Sequence, residues 1–128
     1  MEALMMQNID SILNFAKLNT AIERYKLDAE KVLAGNPGQE LQNHYSSDCE
    51  QFHAGVWQGD VGSWKVSYSE HEYCEILSGS SKVTDNNGHS ITVKTGDRFV
   101  IPAGFEGTWE VLDNCRKVYV IFEANAQQ

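Results

Sequence analysis

Positive charge is scarce in this 128-residue chain. Ten lysines and arginines stand against eighteen aspartates and glutamates, which gives a formal net charge of −8 at pH 7. A chain this acidic repels a phosphate backbone, and no local cluster of lysine and arginine offsets that repulsion. We therefore expect no nucleic-acid partner and no binding to an anionic membrane surface.

Cysteine pairs and long apolar runs are also missing. The three cysteines, Cys49, Cys74 and Cys115, are widely spaced, and without a C-x-x-C pair they favour neither a structural zinc site nor a disulfide framework. Apolar runs such as FVIPAGF at 99–105 are far too short to span a bilayer, and the first ten residues lack the basic start of a signal peptide. These features predict a single globular domain in a reducing, cytoplasmic setting.

The N-terminal third of the chain has a helical pattern. Ile9, Ile12 and Ala16 recur at helical spacing, and a second short helical turn is expected over DAEKVLAG at 28–35, where the final glycine suits a helix end. We therefore predict that residues 1–38 form an extension with one or two short helices.

From residue 39 onward, short β-type runs alternate with turns. The turn signals are Asn-Gly in DNNGH at 85–89, the corner KTGDR at 94–98 and the break PAG at 102–104. They separate about nine runs, namely ELQNHY, EQFHAGVW, SWKVSY, HEYCEIL, SSKVTD, HSITVK, RFVIP, GTWEVL and KVYVIFE. So many short strands at this spacing predict an all-β antiparallel sandwich or barrel over residues 39–128.

Two longer phrases resemble a known family. GDVGSWKVSYSEHEYCEILSGSSKVT at 59–84 and GDRFVIPAGFEGTWEV at 96–111 carry a glutamate before a glycine, a hairpin, and a G-D…P-x-G corner in the order of the cupins. The chain is most similar to the single-domain group related to (S)-ureidoglycine aminohydrolase, and the resemblance covers residues 53–123. It implies a jelly-roll β-barrel.

The resemblance also implies a metal site, but most of its ligands are missing here. A typical cupin holds its metal with two histidines, a glutamate and a third histidine. The glutamate corresponds to Glu72, whereas the first two histidines are replaced by Val66 and Tyr68, or by the residues one position earlier, and the third by Gly107. One carboxylate does not hold a divalent ion tightly. We expect no metal cofactor, with Mn, Ni, Zn or Fe possible only if neighbouring residues rebuild the site.

Strand alternation divides the polar segment HEYCEILSG at 71–79 between two faces. Glu72 and Cys74 share one face, while His71 and Tyr73 share the other. If Glu72 points inward as in the family, the interior becomes an aromatic cavity with one acid, suited to a small organic ligand. The residues expected to line it are Trp64, Val66, Tyr68, Glu72, Cys74, Phe99, Ile101 and Trp109.

The sequence leaves three functions open. The chain is a binding module with Glu72 as the recognition point, an enzyme with Glu72 as catalytic acid or base, or a structural protein whose Glu72 is merely hydrogen-bonded inside the fold. The outward-facing Tyr73 and Leu77 suit a homodimer contact. The charged segment NCRKVY at 114–119 is interpreted as a solvated hairpin corner.

Overall fold

The computed structural model describes residues 6–124, and its strands form one antiparallel sheet. The all-β antiparallel fold predicted from the turn signals is therefore confirmed. No helix within residues 6–124 combines the length and the apolar character needed to cross a membrane. The strands are β1 Glu23–Lys26, β2 Val32–Ala34, β3 Gly38–Ser46, β4 Phe52–Gly59, β5 Gly62–Ser67, β6 His71–Asp85, β7 Ser90–Lys94, β8 Arg98–Ile101 and β9 Glu106–Phe122.

The two longest strands, β6 and β9, form the centre of the sheet. They pair antiparallel from His71 opposite Phe122 to Asp85 opposite Gly107. The other edge of β9 pairs with β5 and then β4, and the other edge of β6 pairs with β8 and β7. Beyond β4 lie β3 and β1, while β2 lies beyond β5. The cavity described below is lined by side chains from β1, β3, β4, β5, β6 and β9, and not by β7 or β8.

Both long strands join runs that the sequence divides. The runs at 71–77 and 80–85 form one strand because Gly79 bends the chain at a φ of +80° without ending it. A side chain at Gly79 would collide with the carbonyl of Asn114 on β9. The hairpin corner predicted at 114–119 is likewise wrong: this segment lies within β9, where Cys115 and Lys117 are buried.

The N-terminal segment is less helical than its spacing predicts. The chain forms only three-residue 3₁₀ helices, at Ile9–Ser11, Phe15–Lys17 and Ala29–Lys31, and no longer helix occurs between residues 6 and 124. The side chains of Asn8 and Asn14 each accept a hydrogen bond from a nearby backbone N–H, so each starts its own short turn. Because the apolar face at residues 9–12 stays exposed, no packing energy extends the helix.

The rest of the N-terminal segment joins the sheet. Tyr25 on β1 pairs with Gln39, and Val32 on β2 pairs with Trp64. These two edge strands place side chains from the first third of the chain beside the cavity.

Three tryptophans dominate the core. Trp57 makes edge contacts with Trp64 and Trp109, with ring centroids 6.2 and 6.1 Å apart. The buried cluster comprises Trp57, Trp64, Ile76, Val83, Val93, Ile101, Trp109, Val111, Cys115 and Tyr119.

Candidate functional site

A cavity of about 620 Å³ opens into the inner face of the sheet. Its volume lies in the range of small-molecule sites, about 300–1,000 Å³. Side chains from β1, β3, β4, β5, β6 and β9 line it, and they include all three tryptophans of the chain. The cavity therefore depends on long-range strand pairing and not on any single segment.

Five of the eight residues expected around a cavity line this one, and three do not. Cys74 is fully buried behind Glu72, and its S–H donates to Glu72 Oε2 at 3.4 Å. Phe99 and Ile101 lie on β8, at the far edge of β6, and line a separate pocket of about 290 Å³. The residues that line the main cavity are Trp64, Val66, Tyr68, Glu72 and Trp109.

The predicted alternation along β6 agrees with the structure. Glu72 and Cys74 are buried, whereas His71 and Tyr73 are exposed on the other face. His71 Nδ1 accepts a hydrogen bond from the backbone N–H of Ala103, and its ring stacks on Phe122. His71 thus belongs to the outer surface and is remote from the cavity.

Glu72 has an ionic partner that the sequence analysis missed. Lys117 Nζ lies 2.9 Å from Glu72 Oε2, and each side chain is 7% exposed. The signal was present in the run KVYVIFE, since alternation puts Lys117 on the same face as Tyr119 and Ile121. Its charge, which is typical of a surface position, led to the assignment as a corner.

The Lys117 ammonium is held by aromatic faces as well as by the carboxylate. Nζ lies 4.3 Å from the ring centroid of Trp109 and 5.0 Å from that of Trp57. Burial lowers the pKa of Lys117, but the charge and hydrogen bond of Glu72, together with Cys74 and Tyr68, outweigh burial, so the pKa is raised above its ordinary value. Lys117 is therefore a permanent cation at neutral pH.

The other groups beside the pair stay protonated at neutral pH. Burial raises the pKa of the Cys74 thiol to about 12, and it also raises the pKa of the Tyr68 hydroxyl. A thiol in this state is not a nucleophile. Because Cys74 and Tyr68 are uncharged, the Glu72–Lys117 ion pair is the main charged feature of the interior.

A chain of hydrogen bonds forms another wall of the cavity. Tyr119 OH donates to Asn43 Oδ1 at 2.7 Å, and Asn43 Nδ2 donates to Ser46 Oγ at 2.8 Å. Ser46 Oγ lies 2.7 Å from His53 Nδ1, and His53 Nε2 lies 3.0 Å from the carbonyl of Glu50. Because a carbonyl only accepts, neutral His53 carries its proton on Nε2 and accepts from Ser46.

Gln39 contributes a donor without an acceptor. Trp57 Nε1 donates to Gln39 Oε1 at 2.7 Å, which fixes the orientation of the amide. The other end of that amide, Nε2, is buried and has no hydrogen-bond partner among residues 6–124. An unpaired buried donor is costly, so it marks a place where an additional acceptor is favourable.

The residues present do not fit the metal ion of typical cupins. Glu72 is already engaged by Lys117, and any side chain at Gly107 would collide with the carbonyl of Thr84 on β6. Within residues 6–124, no group of three or more histidines, cysteines, aspartates or glutamates is arranged to hold a metal.

Comparisons with known proteins agree with this fold. A family model described as the EutQ-like cupin domain matches residues 46–119, which is more than half of the chain. The cupin fold expected from the sequence is therefore confirmed. No curated protein matches.

Solved structures extend the likeness beyond the family model. A DUF861-family protein of unknown function from Pseudomonas syringae pv. tomato aligns with a TM-score of 0.72 at 21% identity, over 80% of this chain and 45% of its own. The chain thus spans less than half of that protein. The EutQ protein of Clostridium difficile aligns with a TM-score of 0.61 at 16% identity, over 79% of this chain and 82% of its own.

A third structure covers most of both chains. A putative ethanolamine utilization protein Q from Salmonella typhimurium aligns with a TM-score of 0.61 at 20% identity, over 84% of this chain and 99% of its own. At such identities the likeness establishes the fold alone, because one fold hosts many activities.

Proposed function

The chain belongs to the EutQ-like cupin domain family, and from that premise we propose that it binds a small polar organic molecule in its cavity without a metal ion. In this proposal the Glu72–Lys117 ion pair is the polar floor of the site, and the three tryptophans are its walls. Glu72 acts as half of a fixed pair and not as a metal ligand.

The observation that carries the proposal is the ion pair itself. The Lys117 ammonium lies 2.9 Å from Glu72, the residue that corresponds to the metal-binding glutamate of typical cupins. The charge of this carboxylate is therefore balanced by a lysine of the same chain and needs no metal ion. The remaining cavity still has the volume and the mixture of aromatic and polar groups typical of a small-molecule site.

An enzyme is the second candidate. The likeness to the (S)-ureidoglycine aminohydrolase group suggests a small nitrogen-containing substrate, and both Glu72 and Tyr68 line the cavity. In this alternative, Glu72 is the acid or base. We rank it second because Lys117 and Cys74 both donate to Glu72 Oε2, so a proton transfer would have to break two existing contacts.

The three indole N–H signals in a ¹⁵N NMR spectrum test the proposal, since all three tryptophans line the cavity. The probes are a set of small organic molecules of each charge type, each with fewer than about fifteen heavy atoms. We expect some of them to shift the indole signals saturably. If no probe does so, cavity binding is refuted.

A blocking variant shows where the probes bind. Val66→Trp fills the cavity from β5, and Val100→Trp adds the same side chain at an exposed position of β8. We expect Val66→Trp to abolish the shifts and Val100→Trp to preserve them. Shifts that persist in Val66→Trp would place the probes elsewhere and contradict the proposal.

A further inference from the structure

We propose that the ligand of this cavity is a small organic anion, a carboxylate or a group of like charge and shape, carried on a flat or apolar body. The inference rests on the proposed function and narrows it to one chemical class. Four features support it: the positive charge of the cavity lining, the unpaired amide donor of Gln39, the Lys117 ammonium that already covers two indole rings, and the apolar walls.

The cavity is positive although the molecule is acidic. Its lining contains three lysines, Lys31, Lys65 and Lys117, against two glutamates, Glu70 and Glu72, in a chain with a net charge of −8. Glu72 and Lys117 neutralise each other, so the two exposed lysines at the rim stand against Glu70 alone and leave a net charge of about +1. Such a local reversal of sign draws anions toward an opening on an otherwise repulsive surface.

The rim lysines are available to a ligand. Neither Lys31 nor Lys65 forms an ion pair in the part of the chain that the structure describes, whereas Arg24, on edge strand β1, is paired with Glu40 at 3.3 Å. Lys31 precedes β2 and Lys65 lies on β5, and these two strands pair directly. The two lysines therefore lie near each other at one edge of the cavity lining.

Gln39 lines the cavity and carries a buried donor that has no acceptor within residues 6–124. Its Oε1 is held by Trp57 Nε1, so the amide cannot turn over without losing that bond, and Nε2 has no partner within residues 6–124. Only an acceptor matches an N–H group. A carboxylate oxygen meets this requirement, whereas an ammonium group does not.

A cationic ligand is disfavoured by what already occupies the aromatic faces. Tryptophan faces attract cations, but Lys117 Nζ already lies over the rings of Trp57 and Trp109. A second cation would have to share those two faces with Lys117. The same tryptophans, with Trp64, leave apolar edges that suit a planar or aliphatic body.

Three probes of matched shape test the inference, namely benzoate, benzamide and benzylammonium. They share one ring and carry charges of −1, 0 and +1. We measure each dissociation constant from the indole signals of the full-length protein. We expect benzoate to bind at least about tenfold more tightly than benzamide, and benzylammonium to bind most weakly.

Two sets of variants assign the selectivity. Lys31→Gln with Lys65→Gln should remove most of the preference for benzoate, weakening benzoate binding several-fold more than benzamide binding. Lys82→Gln with Lys94→Gln removes the same charge from exposed positions that do not line the cavity, and should have little effect. Gln39→Glu keeps an acceptor for Trp57 and replaces the free donor by an oxygen, so it should reverse the preference toward benzamide.

The outcomes separate this inference from the proposed function. If benzamide or benzylammonium binds as tightly as benzoate, the cavity is a binding site but its ligand is not an anion, and the inference is overturned alone. If the control lysine pair reduces benzoate binding as much as the rim pair, the selectivity is a property of the net charge, and the inference is again overturned. If none of the three probes shifts the indoles, both fail.

Discussion

Glu72 Oε2 and Lys117 Nζ lie 2.9 Å apart inside the fold and join the two longest strands. Backbone pairing puts Glu72 opposite Ile121 and Lys117 opposite Ile76, so the two side chains reach toward each other along the strands. Neither residue can be replaced without leaving the other as a buried charge. The pair is thus both the electrostatic centre of the cavity and a condition of its stability.

The first prediction concerns the cost of breaking this pair. Glu72→Gln and Lys117→Met should each lower the free energy of unfolding by about 3–5 kcal/mol, because each leaves one buried charge uncompensated. The double variant should be destabilised by much less than the sum of the two, as measured by urea denaturation.

The chain offers a matched control for this cycle in Arg24 and Glu40. They form an exposed pair at 3.3 Å. Breaking it with Arg24→Gln should cost less than about 1 kcal/mol. Equal effects at the two pairs would show that the buried pair has no special weight.

The second prediction is a loss of stability in alkali. The pKa of Cys74 is raised by burial to about 12, and that of Lys117 is raised because Glu72 and the neighbouring groups outweigh burial. Both groups therefore hold a proton more tightly in the folded state, so their stabilisation is complete below the pKa of the unfolded chain and is lost as the pH rises beyond it.

For Cys74 this loss begins near pH 9.0, the ordinary pKa from which burial raises it, and reaches about 2 kcal/mol by about pH 10.5. Urea midpoints between pH 7 and 10.5 measure it, and Cys74→Ala should make the decline shallower. A free energy of unfolding that is constant or rises over this range would be inconsistent with the buried protonated groups.

The third prediction concerns thiol reactivity. Cys49 is exposed, and a hydrogen bond with Ser47 lowers its pKa, whereas Cys74 and Cys115 are buried and burial raises the pKa of each. A chromogenic disulfide reagent at pH 8 should react with one thiol in the native protein and with three in denaturant. Cys49→Ser should reduce the native count to zero. Rapid reaction of two or more native thiols would show that the interior opens.

Turn chemistry and alternation predicted much of the fold. The Asn-Gly hairpin, the corner at Gly96 and the break at Gly104 separate strands as expected, because each needs a positive φ that the local sequence supplies. The N-terminal helical turns stay shorter than predicted for the opposite reason. Helical spacing at Ile9 and Ile12 is a local signal, and helices form only where a partner buries the apolar face.

The candidate site was only partly predictable. Alternation and the family motif identify Glu72 and Trp109, because both lie at fixed offsets within short motifs. Alternation within KVYVIFE puts Lys117 on the inner face, but only the pairing of β9 with β6 brings it to Glu72, and no local pattern encodes that register. Phe99 lies on the predicted face of its strand, but that strand, β8, lies at the far edge of β6 and away from the cavity. Strand alternation predicts the face of a residue and not the position of its strand in the sheet.

The fourth prediction is self-association through the outer face. Tyr73 pairs with Val100, and Phe52 pairs with Phe122, so these apolar residues share one face of the sheet, and all four are exposed. We expect a homodimer in light scattering at micromolar concentration. Val100→Glu should give a monomer, whereas Val61→Glu, at an exposed loop position, should not. A monomer mass for the wild-type chain would contradict this prediction.

The most direct test of the central claim, that an internal ion pair replaces the metal of this cavity, is a benzoate titration after treatment with a strong chelator. The indole signals report the dissociation constant with and without chelation. Because Lys117 supplies the cation beside Glu72, we predict that the two constants agree within about twofold. Loss of binding on chelation, with recovery on adding zinc or manganese, would contradict the claim.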